Sequence, residues 1–169
     1  MKSPDKILGV YGGMGPAASA EFLRLLTAMA PARKDQEHPI VYVYSNSQTP
    51  DRTAAFFGRG ESPAGALREG LDKLCEWGAD LLAVPCNTAH IFIDKFRSEL
   101  KKPLIHIVEA TIDDAVKASP DGSVGTSIRA DANAVAAHAM HRTVAKCFIC
   151  FTYIIPFRAA HLPRYFPCL

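Results

Sequence analysis

Four short, nearly unbroken apolar runs constrain this fold more than any other feature, because each is closed by glycine, proline or a polar loop and followed by a helical stretch. The first, Lys6-Ile7-Leu8-Gly9-Val10-Tyr11, runs into Gly12-Gly13-Met14-Gly15, and Pro16 suits the first position of a helix. Behind it Phe22, Leu25, Leu26 and Met29 recur at the spacing of one helical face, until Pro31 stops the pattern. The second run, Pro39-Ile40-Val41-Tyr42-Val43-Tyr44, is β-branched and aromatic and opens into a polar loop over residues 45–53. Ser62-Pro63 then offers an N-cap and a first-turn proline to a helix striped by Leu67, Leu71 and Leu74, with Gly78 at its C-terminal end.

The third run, Ala79-Asp80-Leu81-Leu82-Ala83-Val84, ends at Pro85-Cys86. Asn87 and Thr88 are N-cap residue types, and Ala89, Phe92, Phe96 and Leu100 mark one face of the helix expected after them. Pro103-Leu104-Ile105-His106-Ile107-Val108 reads as a fourth strand, with a helix expected over residues 109–118. Strands that are apolar on both faces, each followed by an amphipathic helix, need cover on both sides. The expected class is therefore α/β, a doubly wound parallel sheet, over residues 5–120.

In such sheets ligands bind beyond the carboxyl ends of the strands. Three unusual segments fall at such ends: residues 12–15, 45–53 and 86–88. Their convergence follows from topology alone. It puts the Cys86 thiol at a strand end and a helix start, where unpaired backbone N–H groups favour thiolate over thiol. A nucleophile or a carbon-acid base can be built this way, and so can a small cysteine that merely packs. The glycine-rich turn offers backbone N–H donors to an anion, but it has neither the G-x-G-x-x-G fingerprint nor a P-loop lysine, so carboxylate and phosphate both remain open. Arg52 in Asp51-Arg52-Thr53 suits bidentate recognition of a carboxylate. Asn46 and Gln48 are weaker polar candidates, and His90 either hydrogen-bonds near the site or is a partly exposed structural histidine. Cys75, beside Leu71 and Leu74, reads as packing.

No metal set is visible. Cys147-Phe148-Ile149-Cys150 has no second pair at a zinc-ribbon distance, and His138 and His141 have no third ligand. The net charge of +2 over 169 residues gives no reason to expect nucleic acid or an anionic membrane surface. No apolar run reaches the length of a bilayer span, and residues 1–6 lack the apolar core of a signal peptide. Five irregularly spaced cysteines do not form a disulfide framework, and a cytoplasmic protein with free thiols is expected. Composition breaks near residue 125. All 11 glycines lie before it, with a net charge of −2, whereas residues 126–169 carry +4 and a single acid, Asp131.

Taken together, Gly12-Gly13-Met14-Gly15-Pro16, Ser47-Gln48-Thr49-Pro50-Asp51-Arg52-Thr53 and Pro85-Cys86-Asn87-Thr88-Ala89-His90 resemble the aspartate/glutamate racemase family. The resemblance covers residues 5–125 and implies the first of two similar α/β lobes, with the site between them and a homodimer as the usual assembly. It implies a cofactor-independent racemase for a small amino dicarboxylic acid, working by two cysteines on opposite faces of the α-carbon. Carried over by motif, Cys86 is the first-lobe acid/base. Asn87 and Thr88 hold the α-carboxylate with backbone contact from Met14, and Arg52 and Gln48 bind the side-chain carboxylate. The family's second cysteine sits in a Cys-Thr-Glu segment, and none of Cys147, Cys150 or Cys168 is followed by Thr-Glu. Residues 121–169 are therefore read as an atypical second-lobe remnant or, from about 126, a non-homologous tail such as a frameshift or truncation leaves. Two further functions follow from one missing cysteine: a single-cysteine decarboxylase or isomerase of the same superfamily, and a catalytically dead carboxylate-binding protein.

Overall fold

The computed structural model describes residues 6–110. Within them lie β1 (Ile7–Gly12), α1 (Pro16–Met29), β2 (Ile40–Ser45), α2 (Arg52–Phe56), α3 (Ala64–Glu76), β3 (Leu81–Ala83), α4 (Ala89–Ile93) and β4 (Leu104–Ile105). The strands form one parallel sheet in the order β2-β1-β3-β4. The chain leaves β1 towards β2 on one side and returns as β3 on the other. The topological switch point therefore lies between β1 and β3. This is the expected doubly wound α/β layer.

The period of two along β1 sorts the core into two halves. Leu8 and Val10 pack with Phe22 and Leu26 of α1 on one face, joined by Ala83. Tyr11 points the other way, into a cluster with Leu67, Leu71 and Leu74 of α3 and Phe92 and Ile93 of α4. The three leucines of the α3 stripe are completely buried, as their spacing predicts. Helix α1 starts as its sequence dictates, with Gly15 extended at the N-cap and Pro16 inside the first turn. Helix α3 ends in the expected way too, since Gly78 after the Trp77 cap has φ 98°.

Several expected elements are shorter or shifted. The third strand is confined to Leu81–Ala83 and the fourth to Leu104–Ile105, rather than the full apolar runs. Pro85 has no N–H with which to continue the β3 ladder, and Ala83↔Ile105 is the last pair between these strands. The chain beyond β4 turns helical over residues 107–110, where Ala110 N–H donates to the His106 carbonyl. Ile107 is therefore buried in a helical turn instead of a strand. The helix after Cys86 is one α-helical stretch followed by the tighter 3-10 turn Arg97–Glu99. Ala89, Phe92 and Phe96 still face the core, because the two pieces keep that stripe inward. Thr88 occupies the N-cap of α4 but makes no side-chain capping bond. Met29, expected on the apolar face of α1, is 52% exposed in its last turn. Helix α2 inside the polar loop is not expected from the sequence, and the cap of α3 is Pro63, one residue after Ser62. The segment 111–169, with the expected helix to 118, the composition break and the second-lobe remnant, lies outside the described residues.

Candidate active site at the switch point

The turn after β1 is built so that it can lie against the turn after β2. Gly13 has φ 93°, and a Cβ there would stand 2.5 Å from the Asn46 carbonyl carbon and 2.7 Å from the Ser47 amide nitrogen. Only glycine meets both conditions. The Gly13 N–H donates to Ser19 Oγ at 2.9 Å, and that hydroxyl donates on to the Gly15 carbonyl at 3.3 Å. Buried Ser19 thus takes one of the N–H groups that the glycine-rich turn was expected to offer an anion. The Met14 side chain is packed into the α3-side core, which leaves its backbone as the part able to meet a ligand.

The loop after β2 is tied down by its own polar groups. Asn46 N–H donates to the Gly12 carbonyl at 3.1 Å, and Asn46 Oδ1 accepts from Gln48 N–H at 3.0 Å. Beneath it a closed ring of hydrogen bonds fixes the donors. Thr49 Oγ1 donates to the Asn46 carbonyl at 2.9 Å, so at 2.7 Å it accepts from the Tyr11 hydroxyl, which itself accepts from Asn46 Nδ2 at 3.4 Å. Asp51 caps α2 by accepting from the amides of Thr53 and Ala54, and these bonds hold its carboxyl below the usual range. Arg52 opens that helix half-buried. Its Nη1 donates to the carbonyls of Thr49 and Pro50, both at 3.2 Å, while its buried Nε has no partner. Gln48 is exposed at the rim.

The third turn carries the thiol. Cys86 N–H donates to the Val84 carbonyl at 2.8 Å across buried Pro85, a tight reversal that lifts Cys86 out of the strand direction. Cys86, Asn87 and Thr88 are half-buried, and His90 N–H donates to the Asn87 carbonyl at 3.1 Å. Of the two expectations for His90, the hydrogen bond near the Cys86 turn is the one found: it is 1% exposed rather than partly exposed, with Nδ1 3.0 Å from the Cys86 carbonyl oxygen. Cys75 sits half-buried against the α3-side core, and burial pushes its thiol up, as suits packing.

The pairing Val10↔Ala83 sets the ends of β1 and β3 side by side, so the Cys86 turn leaves the sheet at the same end as the glycine turn. The pairing Gly12↔Ser45 sets the Arg52 loop on the other side. The turns bearing Met14, Gln48 and Arg52, and Cys86, Asn87 and Thr88, therefore all leave the sheet at its carboxyl end. Sequence reasoning missed residues that brace the first two turns: Tyr11, Ser19 and Thr49. An alternating strand pattern marks Tyr11 as core, and nothing in it reveals that its hydroxyl reaches the loop 38 positions away. Among the described residues no group of His, Cys, Asp and Glu could hold a metal ion, and no helix is long and apolar enough to cross a membrane. The Cys147–Cys150 pair, Cys168, His138 and His141 lie outside the described residues.

Known proteins resemble this chain in sequence and fold. Over 110 residues the chain is 32% identical to the broad specificity amino-acid racemase RacX of Bacillus subtilis (strain 168), a match covering 63% of this chain and 48% of that one. The chain thus spans about half the length of this curated relative. Its fold superposes on the aspartate racemase of Picrophilus torridus with a TM-score of 0.63 and 26% identity, covering 89% of this chain and 73% of the other. An aspartate racemase homologue from Pyrococcus horikoshii OT3 shares the fold at a TM-score of 0.55 and 22% identity, over 68% of this chain and 50% of its own. The model of the Asp/Glu/hydantoin racemase family matches residues 12–146, beginning at the glycine turn and running past the composition break. With the glycine turn, the Arg52 loop and the Cys86 turn at one end of a doubly wound sheet, this chain belongs to the Asp/Glu/hydantoin racemase family.

Proposed function

We propose that this chain carries the first-lobe half of a cofactor-independent racemase for aspartate, glutamate or a similar small amino dicarboxylic acid, with Cys86 as the group that moves the α-proton. The observation that carries the reading is the seating of a half-buried cysteine on a tight turn at the switch point, at the same end of the sheet as a loop whose arginine has an unpartnered buried Nε. An α-proton is weakly acidic, so its removal needs a positioned base and donors for the charge that develops on the carboxylate. Cys86 as thiolate takes the proton and becomes a thiol. The electron pair left on the α-carbon delocalises into the α-carboxylate, held by Asn87, Thr88 and the Met14 backbone. Arg52, with Gln48 at the rim, holds the distal carboxylate. Return of the proton to the opposite face requires a second acid, which the two-lobe family places in the other lobe. A homodimer in the cytoplasm, with free thiols, is the setting we propose for it.

Incubation of L- and D-aspartate with the protein in deuterated water tests this. Racemisation with deuterium at the α-carbon is the expected result for a complete pair. Deuteration without inversion identifies Cys86 acting alone, the single-cysteine reading. Binding without exchange identifies a dead carboxylate-binding protein, a reading favoured by Cys147, Cys150 and Cys168 all lacking a following Thr-Glu. Cys86→Ala is expected to abolish exchange, and unchanged exchange in that variant would falsify the assignment.

A further inference from the structure

A buried imidazole stands directly behind the Cys86 turn and takes no part in the proton transfer proposed above. His90 has Nδ1 3.0 Å from the Cys86 carbonyl oxygen, while the Ile107 amide nitrogen lies 3.4 Å from Nε2. A neutral ring has one proton for its two nitrogens. On Nδ1 that proton serves the Cys86 carbonyl and leaves Nε2 to accept from the Ile107 N–H. The Ile105 carbonyl also lies against the ring, but a proton on Nε2 would oppose the Ile107 N–H and leave the Nδ1 lone pair 3.0 Å from the Cys86 carbonyl oxygen. The Nδ1–H tautomer is the one that serves both the Cys86 carbonyl and the Ile107 N–H.

His106 closes the arrangement from the far side, its ring 4.6 Å from that of His90 and edge-on to it. Its Nε2 donates to Asp94 Oδ1 at 3.1 Å, and its Nδ1 accepts from Glu109 N–H at 3.4 Å. The titratable groups around His90 are therefore His106 at the exit of β4, Asp94 closing α4, and Glu109 in the following helical turn, itself paired with Arg97. Burial, then His106, push His90 down to about 4 against the pull of the Cys86 and Ile105 carbonyls and Asp94. At neutral pH the ring is a hydrogen-bonding bracket and not an acid or base.

We propose that His90 is a positioning residue for Cys86, pinning the Cys86 turn to the exit of β4 through one hydrogen bond at each ring nitrogen. The two partners follow different strands, Cys86 after β3 and Ile107 after β4, so a displacement of residues 106–110 is felt at the thiol-bearing turn. Its importance for turnover rests on the reading of Cys86 as the acid/base, whereas the bracket itself is tested on the thiol without any turnover.

In the full chain, iodoacetamide labelling of each cysteine is followed by peptide mass spectrometry, with Cys75 on α3 reporting global unfolding. His90→Leu is expected to raise the Cys86 rate relative to Cys75 by about fivefold, the scale of one ordinary hydrogen bond. His90→Asn, whose amide nitrogen overlays Nδ1, is expected to return the ratio towards the parent value, and His90→Gln, whose amide overlays Nε2, is not. An unchanged ratio in His90→Leu, or equal rescue by Asn and Gln, overturns the proposal. If both cysteines accelerate together because the variants unfold, the imidazole ¹⁵N shifts of the parent protein decide. A protonated Nδ1 and bare Nε2 at neutral pH support the bracket, and the reverse tautomer overturns it. Failure of aspartate exchange would bear on the racemase reading alone.

Discussion

At the scale of one residue, Arg52 is held on one side and left open on the other. Two backbone carbonyls, of Thr49 and Pro50, hold Nη1. The buried Nε is left without a partner, an arrangement that costs free energy. Under the proposed function, Arg52→Ala is expected to weaken aspartate binding by about 10- to 100-fold, the worth of a charge-assisted bond. Arg52→Lys is expected to recover little of that, since an ammonium cannot reproduce the planar fork. Calorimetric titration with aspartate and with alanine checks both expectations, because the loss should appear only for the ligand with a distal carboxylate. Equal losses for the two amino acids would move Arg52 away from that carboxylate.

Helix α3 reaches the Arg52 loop through the Tyr11 ring. Tyr11 packs against Gly70 in α3, and a Cβ on Gly70 would stand 1.8 Å from Tyr11 Cε2. The ring's hydroxyl in turn holds Thr49. Gly65 in the same helix has no atom near its missing Cβ. Two identical substitutions in one helix should therefore have opposite signs. Gly65→Ala is expected to stabilise the chain by up to about 1 kcal/mol through helix propensity. Gly70→Ala is expected to destabilise it by about 1–3 kcal/mol through overpacking. Urea unfolding of both variants measures the contrast, and stabilisation by Gly70→Ala would mean that the Tyr11 contact is not tight. The Leu67, Leu71 and Leu74 stripe could be read from spacing because burial on one helical face is a local pattern. Gly70 reads in the same window as a neutral helix residue. Its reason is a ring from β1, 59 positions earlier.

For the whole molecule, His90 links the candidate site to stability. Its folded value of about 4 lies below the ordinary 6.5, so between these limits the unfolded chain binds more protons than the folded one. Stability then rises with pH across that window: the contribution is complete above the unfolded value and is lost as pH falls towards the folded one. The loss amounts to at most roughly 3 kcal/mol. Urea midpoints measured from about pH 7 to about pH 5 should fall, and His90→Asn should flatten the slope. An equally steep slope in that variant would place the titration elsewhere. Asp51 and Glu109, whose carboxyls are held low by the α2 amides and by Arg97 respectively, add losses of the same sign only at lower pH.

The sequence by itself determined the parallel α/β layer, the order of its elements and the end of the sheet where the three marked turns meet. Those features follow from local periodicity, proline and glycine placement and the connection rules of parallel sheets. It also placed the Cys86 turn as the residue set to watch. Tertiary structure decided that the β3–β4 ladder is only two pairs long and that the chain after Ile105 turns helical instead of continuing as a strand. It also decided that the Gly13 amide goes to Ser19 and that Tyr11 reaches Thr49. His90, a residue the sequence left between site and surface, is buried behind Cys86 because α4 and the exit of β4 close on both sides of its ring. Hydrogen bonds between residues far apart in the chain leave no periodic trace, and only packing brings their partners together.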